Sequence, residues 1–310
     1  MSVTFHMQPM WIRRLICLLM FLITFSQFLT AQKRLTLPLL EDSLKAISNK
    51  IQTSGNDTTR QALNLRFKQT LKTAIGIQGS FSYPFDSLRK LGKLTSPDKA
   101  FRLYNWNLPM SDGINRYFCF IQFPGKKNKH DPGLIELCDR SDSIVRPEYS
   151  TLGASNWYGA LYYKIISGKS ESGMIYTLLG WEGLNASTMQ KIIEIMTFDD
   201  RGSPQFGKKV FTTYKEGDYK RILFRYSSQA TMVLRYDEQF ITNERQWNSA
   251  RKKFDENRSK TRMIIFDRLV PLEQKDGSSP LLVPSGDIYD GFIFEDSSWN
   301  YIEGVDARNY

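Results

Sequence analysis

Two stretches near the start of the chain carry apolar residues at steps of three or four positions. The first set is Leu40, Leu44, Ile47 and Ile51, and the second is Leu63, Phe67, Leu71 and Ile75. This spacing places each set on one face of an α-helix. Between them, residues 55–58 (GNDT) combine a glycine that ends a helix with polar residues that cap the next one. The pattern predicts a helical hairpin within residues 32–79.

After residue 79 the apolar spacing changes from helical to alternating. The predicted strands are short, rich in aromatic and β-branched residues, and bounded by Gly, Pro, Asn, Asp or Ser. They span residues 100–106, 117–123, 157–166, 174–181, 190–198, 220–226, 230–236, 261–268, 289–295 and 299–302. The long helical crossovers of a parallel sheet are missing. We therefore predict an α+β fold that is mainly antiparallel β, with the helical hairpin followed by a β-rich sandwich or barrel-like domain over residues 80–310.

Two local features refine this prediction. Apolar and polar residues alternate within the segments 220–226 and 230–236, on either side of Ser227 and Ser228. This pattern is typical of a hairpin with one face buried and one exposed. Residues 237–260 then hold many basic side chains and few apolar ones. This composition predicts a charged insertion in the β-rich domain, formed by an exposed helix or loop. Most charge runs are solvated surface, and the alternative interpretation is a docking patch for an anionic partner.

The N-terminus has the pattern of a secretory signal peptide. Arg13 and Arg14 precede an uncharged apolar segment, residues 15–23, and Ala31 supplies a small residue before a cleavage point. The apolar core is short compared with the roughly 20 residues that span a bilayer. We therefore predict that residues 1–31 are a cleaved signal peptide and that the protein is exported to the periplasm or outer envelope. An uncleaved membrane anchor is the alternative.

The net charge of the chain indicates which classes of partner it attracts. The chain has 42 basic and 32 acidic residues, a net charge of +10; without Arg13 and Arg14, 40 basic residues remain and the charge is +8. A positive surface favours electrostatic contact with an anionic envelope surface, acidic glycans or acidic proteins. Nucleic acid is not expected as a partner of an exported protein.

Two cysteines remain after residue 31, Cys119 and Cys138. An oxidising compartment allows them to pair. The segments 117–123 and 134–139 are predicted strands joined by a polar loop, and folding that hairpin symmetrically about its middle puts the cysteines opposite each other. We therefore expect a Cys119–Cys138 disulfide. Two buried free thiols are the alternative.

The sequence contains no motif that specifies a catalytic, metal or cofactor site. His130 is the single histidine after residue 31, so a metal site rich in histidine is excluded there. No nucleophile elbow, zincin motif or phosphate-binding glycine loop is present. We predict no metal and no cofactor, and the catalytic residues, if there are any, stay unknown.

Carboxylates and aromatic residues near strand ends are the remaining candidates. Asp267 and Asp290 could act as an acid and base pair, as in glycosidases, although acids at strand ends are more often turn formers or ion-pair partners. Aromatic and amide side chains at strand ends could form the rim of a glycan- or peptide-binding site, with core packing as the alternative. These candidate binding residues are Trp106, Trp157, Tyr158, Trp181 and Asn185.

Four segments resemble a family of uncharacterised exported bacterial envelope proteins. They are residues 96–106 (SPDKAFRLYNW), 157–164 (WYGALYYK), 176–181 (YTLLGW) and 289–294 (YDGFIF). The similarity extends over most of the chain from about residue 81. The family has no assigned activity, so the resemblance implies a bacterial envelope setting and transfers no site residue.

Three functional classes follow from these observations. The first is a non-enzymatic module that binds a glycan, a peptide or an envelope protein. The second is a hydrolase that depends on carboxylates, which requires two acids about 5 to 9 Å apart in a cleft. The third is a structural subunit of an envelope assembly, which requires a broad apolar patch on the helical hairpin.

Overall fold

The computed structural model describes residues 35–125, 133–242, 246–248, 252–255, 258–272 and 281–306. The predicted signal peptide and His130 lie outside these residues, as does part of the charged segment 237–260.

The predicted helical hairpin is present as α1 (Leu37–Thr53) and α2 (Asp57–Gly76). Pro38 lies in the first turn of α1, where a missing N–H is tolerated. Asn56 caps α2 by accepting a hydrogen bond from the Thr59 N–H at 3.1 Å. Leu44 and Leu71, one from each predicted stripe, are fully buried. Among the described residues, no helix has the length and hydropathy needed to span a bilayer.

Seventeen strands are described, and most of them belong to three sheets. The first sheet contains β1 (Gly92–Thr95), β2 (Arg102–Pro109), β3 (Asn115–Gln122) and β4 (Leu134–Cys138). The central sheet contains β5 (Leu152–Gly153), β6 (Leu161–Ser170), β7 (Gly173–Gly183), β8 (Thr188–Phe198), β9 (Pro204–Phe206) and β11 (Arg221–Ser227). The third sheet contains β10 (Phe211–Thr212), β12 (Leu234–Thr242), β15 (Arg258–Leu272), β16 (Leu281–Glu295) and β17 (Ser298–Val305). A small ribbon contains β13 (Gln246–Asn248) and β14 (Lys253–Asp255).

The helices and sheets stack as successive layers, and the alternation of residues along each strand explains the order. On β2, Tyr104 and Trp106 pack against the helical hairpin, whereas Leu103 packs against the central sheet. On β7, Leu178 faces the first sheet and Leu179 faces the third. Successive side chains on a strand point to opposite faces, so both sheets are covered on both sides. The predicted α+β fold with an N-terminal helical hairpin and a β-rich remainder is confirmed.

The hairpin predicted around Ser227 and Ser228 is wrong. β11 pairs with β8 in the central sheet, and β12 pairs with β15 in the third sheet. The two strands alternate as predicted, but their apolar residues meet in the core between the sheets. There Phe224 on β11 contacts Phe266 on β15, the partner strand of β12, with ring centroids 4.6 Å apart. An alternating pattern identifies a half-buried strand but does not identify its hydrogen-bonding partner.

The charged segment 237–260 is also different from the prediction of a helix or loop. Its first residues continue β12 to Thr242, and its last residues begin β15 at Arg258. The pair extends beyond the core as an antiparallel ribbon, with Glu238 opposite Arg262 and Phe240 opposite Lys260. Glu238, Phe240 and Lys260 are exposed on one face of this ribbon, whereas Gln239 is buried on the other.

The predicted Cys119–Cys138 disulfide is wrong, because both cysteines are free thiols. β3 pairs with β4 in a register that places Cys119 opposite Leu137 and Phe118 opposite Cys138, one residue away from the symmetric arrangement. A shift of one residue moves a side chain to the other face of the sheet. Cys119 is therefore buried between the first and central sheets, whereas Cys138 is exposed on the opposite face.

Candidate functional site

Two of the predicted binding residues are packed in the cores. Trp157 is fully buried, and its Nε1 donates a hydrogen bond to Tyr162 Oη at 2.9 Å. Trp106 is buried under α2, and its Nε1 donates to Asn64 Oδ1 at 2.8 Å, although its ring also borders a depression of about 590 Å³ beside the helical hairpin. Both indole N–H groups are satisfied inside the protein, so these side chains contribute first to packing.

The other three predicted binding residues lie at separate places. Tyr158 is buried at the base of one cleft, and Trp181 is partly exposed in a separate groove. Asn185 forms a turn, because its Oδ1 accepts hydrogen bonds from the Ser187 and Thr188 N–H groups, both at 2.9 Å. The five residues therefore do not form one rim.

The two predicted catalytic acids are also separate from any described cleft. Asp267 is buried at a β-bulge and accepts a hydrogen bond from the Val233 N–H at 2.6 Å. Asp290 accepts two hydrogen bonds from the Arg268 guanidinium, at 2.6 and 3.1 Å, and one from the Gly304 N–H at 3.0 Å. These contacts stabilise the irregular part of the third sheet and give both acids a structural role.

A different carboxylate, Glu182, lies at the base of a cleft of about 460 Å³ between the first and central sheets. We call this the Glu182 cleft. Its walls come from the ends of β3, β4 and β7 and from the segment that follows β4. The lining includes Asn115, Arg116, Tyr117, Asp139, Arg140, Ser141, Asp142, Tyr158 and Glu182. Polar and ionisable groups make up about half of this surface, and Met110, Ile114, Leu137 and Leu184 contribute to the apolar half. The cleft therefore suits a ligand that has both hydrogen-bonding groups and apolar faces.

The position of Glu182 follows from the alternation of β7. Leu178, Gly180 and Glu182 share the face that meets the first sheet, so the carboxylate continues an apolar row. Glu182 is 4% exposed. The Gln190 side chain opposite it on β8 donates to Glu182 Oε2 at 2.7 Å and to Tyr158 Oη at 3.0 Å. Arg225 Nε on β11 donates to Gln190 Oε1 at 3.0 Å, which fixes the orientation of the amide.

Burial raises the pKa of Glu182 from its ordinary value of 4.5 to about 8. The negative charge of Asp139 acts in the same direction, while hydrogen bonds from Tyr158 and Gln190 and the charge of Arg225 oppose it. Desolvation penalises the charged form of an acid, and a second acid nearby adds to the penalty. Glu182 is consequently a neutral carboxylic acid over most of the physiological range, able to donate one hydrogen bond and accept others.

Asp139 is held at the edge of the cleft by the turn that follows β4. Its carboxylate accepts hydrogen bonds from the Tyr117 N–H at 3.1 Å and from the Ser141 hydroxyl at 2.6 Å. Ser141 Oγ in turn accepts from the Gly159 N–H at 2.8 Å. A Cβ on Gly159 would lie 2.5 Å from Asp139 Cγ, so this position needs glycine for the backbone to approach the carboxylate.

Tyr117 connects the two sides of the cleft. Its hydroxyl accepts a hydrogen bond from the Gly183 N–H at 2.8 Å, directly after Glu182 on β7. Burial raises the pKa values of both Tyr117 and Tyr158 well above their ordinary range, so both phenols stay neutral. The cleft thus combines a neutral acid, two phenols, an amide and a carboxylate that already carries three hydrogen bonds. Among the described residues, no group of three or more acidic, His or Cys side chains could hold a metal ion.

Sequence reasoning located Tyr158 but considered Glu182 and Gly183 only as neighbours of Trp181. The signal that could have identified Glu182 is an acid on the apolar face of a strand. Glu182 is an even number of residues from Tyr176 and Leu178, so all three lie on the same face of β7. Asp139 gave no comparable signal, because an acid after a strand is an ordinary turn residue.

Comparison of the chain with protein-family models, with curated proteins and with solved structures finds no match. The functional interpretation therefore depends on the residues of this chain alone.

Proposed function

We propose that this protein is an exported envelope protein that binds a small saccharide, of one or two rings, in the Glu182 cleft without transforming it. The observation that carries the proposal is the neutral carboxyl group of Glu182 at the base of a cleft lined by both polar and apolar side chains. Sugar hydroxyls both donate and accept hydrogen bonds, and a protonated acid flanked by phenols and an amide offers both roles. A volume of about 460 Å³ also lies in the ordinary range for small-molecule sites.

Export is part of this proposal and is supported by the sequence of residues 1–31. The arginine pair, the short apolar core and Ala31 follow the order of a cleaved secretory signal. The remaining charge of +8 supports contact with an anionic envelope surface rather than with nucleic acid. Mass spectrometry of the protein purified from its native cell tests the idea: an N-terminus at Gln32 is expected, and a chain that begins upstream of Leu29 contradicts cleavage.

Saccharide binding can be tested by isothermal titration of the purified protein with mono- and disaccharides from bacterial envelopes. The Glu182→Ala variant removes the acid, and Lys169→Ala on the exposed part of β6 is the control. We expect at least a tenfold loss of affinity for Glu182→Ala and less than a twofold change for Lys169→Ala. A saccharide that binds the Glu182→Ala variant as well as the unmodified protein would contradict this site.

A carboxylate-dependent hydrolase is the second candidate, with Glu182 and Asp139 in place of the two acids first predicted. It is favoured by the pKa of about 8 for Glu182 beside a second acid, since a general acid must stay protonated near neutral pH. Aryl glycosides distinguish the two functions. Hydrolysis that falls at least 100-fold in both Glu182→Gln and Asp139→Asn identifies an enzyme, whereas saccharide binding without turnover supports the binding module.

The structural-subunit alternative has less support. It requires a broad apolar patch on the helical hairpin, but the large apolar side chains of α1 and α2 pack mostly against the first sheet. Leu65 on α2 is exposed, and a single exposed leucine is ordinary for a soluble surface.

A further inference from the structure

A second depression, which shares no lining residue with the Glu182 cleft, contains an amide side chain without a partner. Asn105 lies on β2 and is 1% exposed. Neither its Oδ1 nor its Nδ2 makes a hydrogen bond within the described part of the protein. An unsatisfied buried amide is destabilising, and native proteins keep few of them. A leucine of similar size would pack at this position without that penalty, so the amide needs an explanation other than stability.

The Asn105 amide packs directly against the backbone of Gly92. Its partner across the first sheet is Gly92 on the edge strand β1. A Cβ at Gly92 would lie 2.6 Å from Asn105 Nδ2, so any larger residue would displace the amide. Asn105 and Gly92 line a groove of about 370 Å³ between β1 and the edge strand β6 of the central sheet. We call this the Trp181 groove.

Aromatic side chains form the far wall of the Trp181 groove. Trp181 is partly exposed and Tyr163 is 40% exposed. Tyr163 is held in place by a hydrogen bond from its hydroxyl to the Leu234 carbonyl at 2.8 Å and by Lys191, whose Nζ lies 4.9 Å from the ring centroid. Rigid, partly exposed aromatic rings offer apolar faces for a ligand at low entropic cost.

Two cations lie at the opposite rim. Arg89 and Lys90 are exposed, line the same groove, and make no side-chain hydrogen bond or ion pair to another described residue. Their charges are therefore available to a ligand. No residue of this groove lines the Glu182 cleft, and Trp181 and Glu182 project from opposite faces of β7.

We propose that the Trp181 groove binds an acidic saccharide, a class of ligand and a site beyond the saccharide binding proposed for the Glu182 cleft. A sugar ring packs against Trp181 and Tyr163. The Asn105 amide turns from the Gly92 backbone toward the groove and pairs with a hydroxyl or carbonyl group of the sugar. The sugar carboxylate lies near Arg89 and Lys90, where the charge attracts it. The groove combines aromatic faces, one amide and two basic side chains without partners among the described residues. This combination fits an acidic saccharide better than it fits a neutral or cationic ligand.

Tetragalacturonate is a suitable probe, and its methyl ester is the matched control because it removes the charge and adds only a methyl group at each carboxyl. We expect tetragalacturonate to bind the full chain, and the ester to bind at least tenfold more weakly. Lys90→Ala should weaken binding of the acid by at least fivefold and leave binding of the ester unchanged. Lys169→Ala, which removes an exposed lysine elsewhere on β6, should change neither Kd by more than twofold.

Two variants test the amide itself. Asn105→Leu removes both polar atoms, and Gly92→Ala adds a methyl group that displaces the amide; each should weaken tetragalacturonate binding at least tenfold. Because Asn105 has no partner to lose, the Asn105→Leu protein should melt at or above the temperature of the unmodified protein, which separates loss of binding from loss of folding. Equal affinity for the acid and its ester, or full affinity in both variants, would overturn the proposal. If Glu182→Ala abolishes tetragalacturonate binding and Asn105→Leu does not, the ligand occupies the cleft and the groove proposal is wrong, while the cleft proposal stands.

Discussion

Replacement of Glu182 by Gln should stabilise the protein at alkaline pH and leave its stability unchanged in acid. The pKa of this carboxyl is about 8 in the folded protein, compared with an ordinary value of 4.5. Between these two values the unfolded chain has released the proton and the folded protein has kept it. Stability therefore falls as the pH rises through this window, because the unfolded state binds fewer protons.

The magnitude follows from the width of the window. Each pH unit between the two pKa values costs about 1.4 kcal/mol, so the whole interval amounts to about 5 kcal/mol of unfolding free energy at pH 8 and above. The Gln side chain of Glu182→Gln does not titrate, and its carbonyl oxygen can still accept the hydrogen bond from Gln190. The free energy of unfolding of the variant should therefore exceed that of the unmodified protein by an amount that grows steadily from about pH 5 to about pH 8.

Urea denaturation of both proteins at pH 4, 5, 6, 7, 8 and 9 measures this difference. The two proteins should be equal in stability at pH 4 within about 1 kcal/mol, since Glu182 is then protonated in both states. In an Asp139→Asn variant with Glu182 intact, the loss of stability with rising pH should end at a lower pH. The reason is that the charge of Asp139 contributes to the raised pKa of Glu182. A difference that does not change between pH 5 and pH 8 would refute the assignment of Glu182 as a buried neutral acid.

Three further predictions concern other parts of the molecule. Arg221→Met should lower the free energy of unfolding by about 3 to 5 kcal/mol in chemical denaturation, because it leaves the Glu194 carboxylate unpaired; both side chains are fully buried and their atoms lie 2.5 Å apart. A thiol reagent should modify Cys138 in the native protein and Cys119 only after unfolding, since Cys119 is buried; an intact mass 2 Da lower and no labelling would instead indicate a disulfide. Asp290→Asn should leave saccharide affinity within twofold, as titration can verify, because this carboxylate lies outside both the cleft and the groove.

Local patterns in the sequence predicted the elements but not their pairing. The helical stripes and the capping residue Asn56 define α1 and α2 almost completely, because helical contacts are close in sequence. Strand partners depend on which apolar faces meet, so Ser227 and Ser228 resembled a turn within one sheet although they connect two sheets. The pairing of β3 with β4 is shifted by one residue, which separates the cysteines. A prediction that assumes a symmetric hairpin cannot detect this shift.

The candidate sites were less accessible to sequence reasoning than the fold. Trp181 and Tyr158 were identified from their chemistry, but they lie in different depressions. The features that distinguish those depressions are the burial of Glu182 and the absence of a partner for Asn105. Both depend on contacts between strands that are far apart in the sequence, and no spacing rule reports them.

The crossing of the chain from the central sheet to the third sheet also determines the order in which the protein can fold. Trp299 on β17 donates a hydrogen bond to Thr177 on β7, 122 residues earlier, and β17 pairs in parallel with β10. The core between these sheets therefore cannot close until the last strand has left the ribosome. Contacts this distant in sequence slow folding, because the loop entropy is lost before the contacts form. The strands of the first and central sheets all lie before residue 228, so their pairing needs no later part of the chain, whereas the third sheet must wait for nearly all of it.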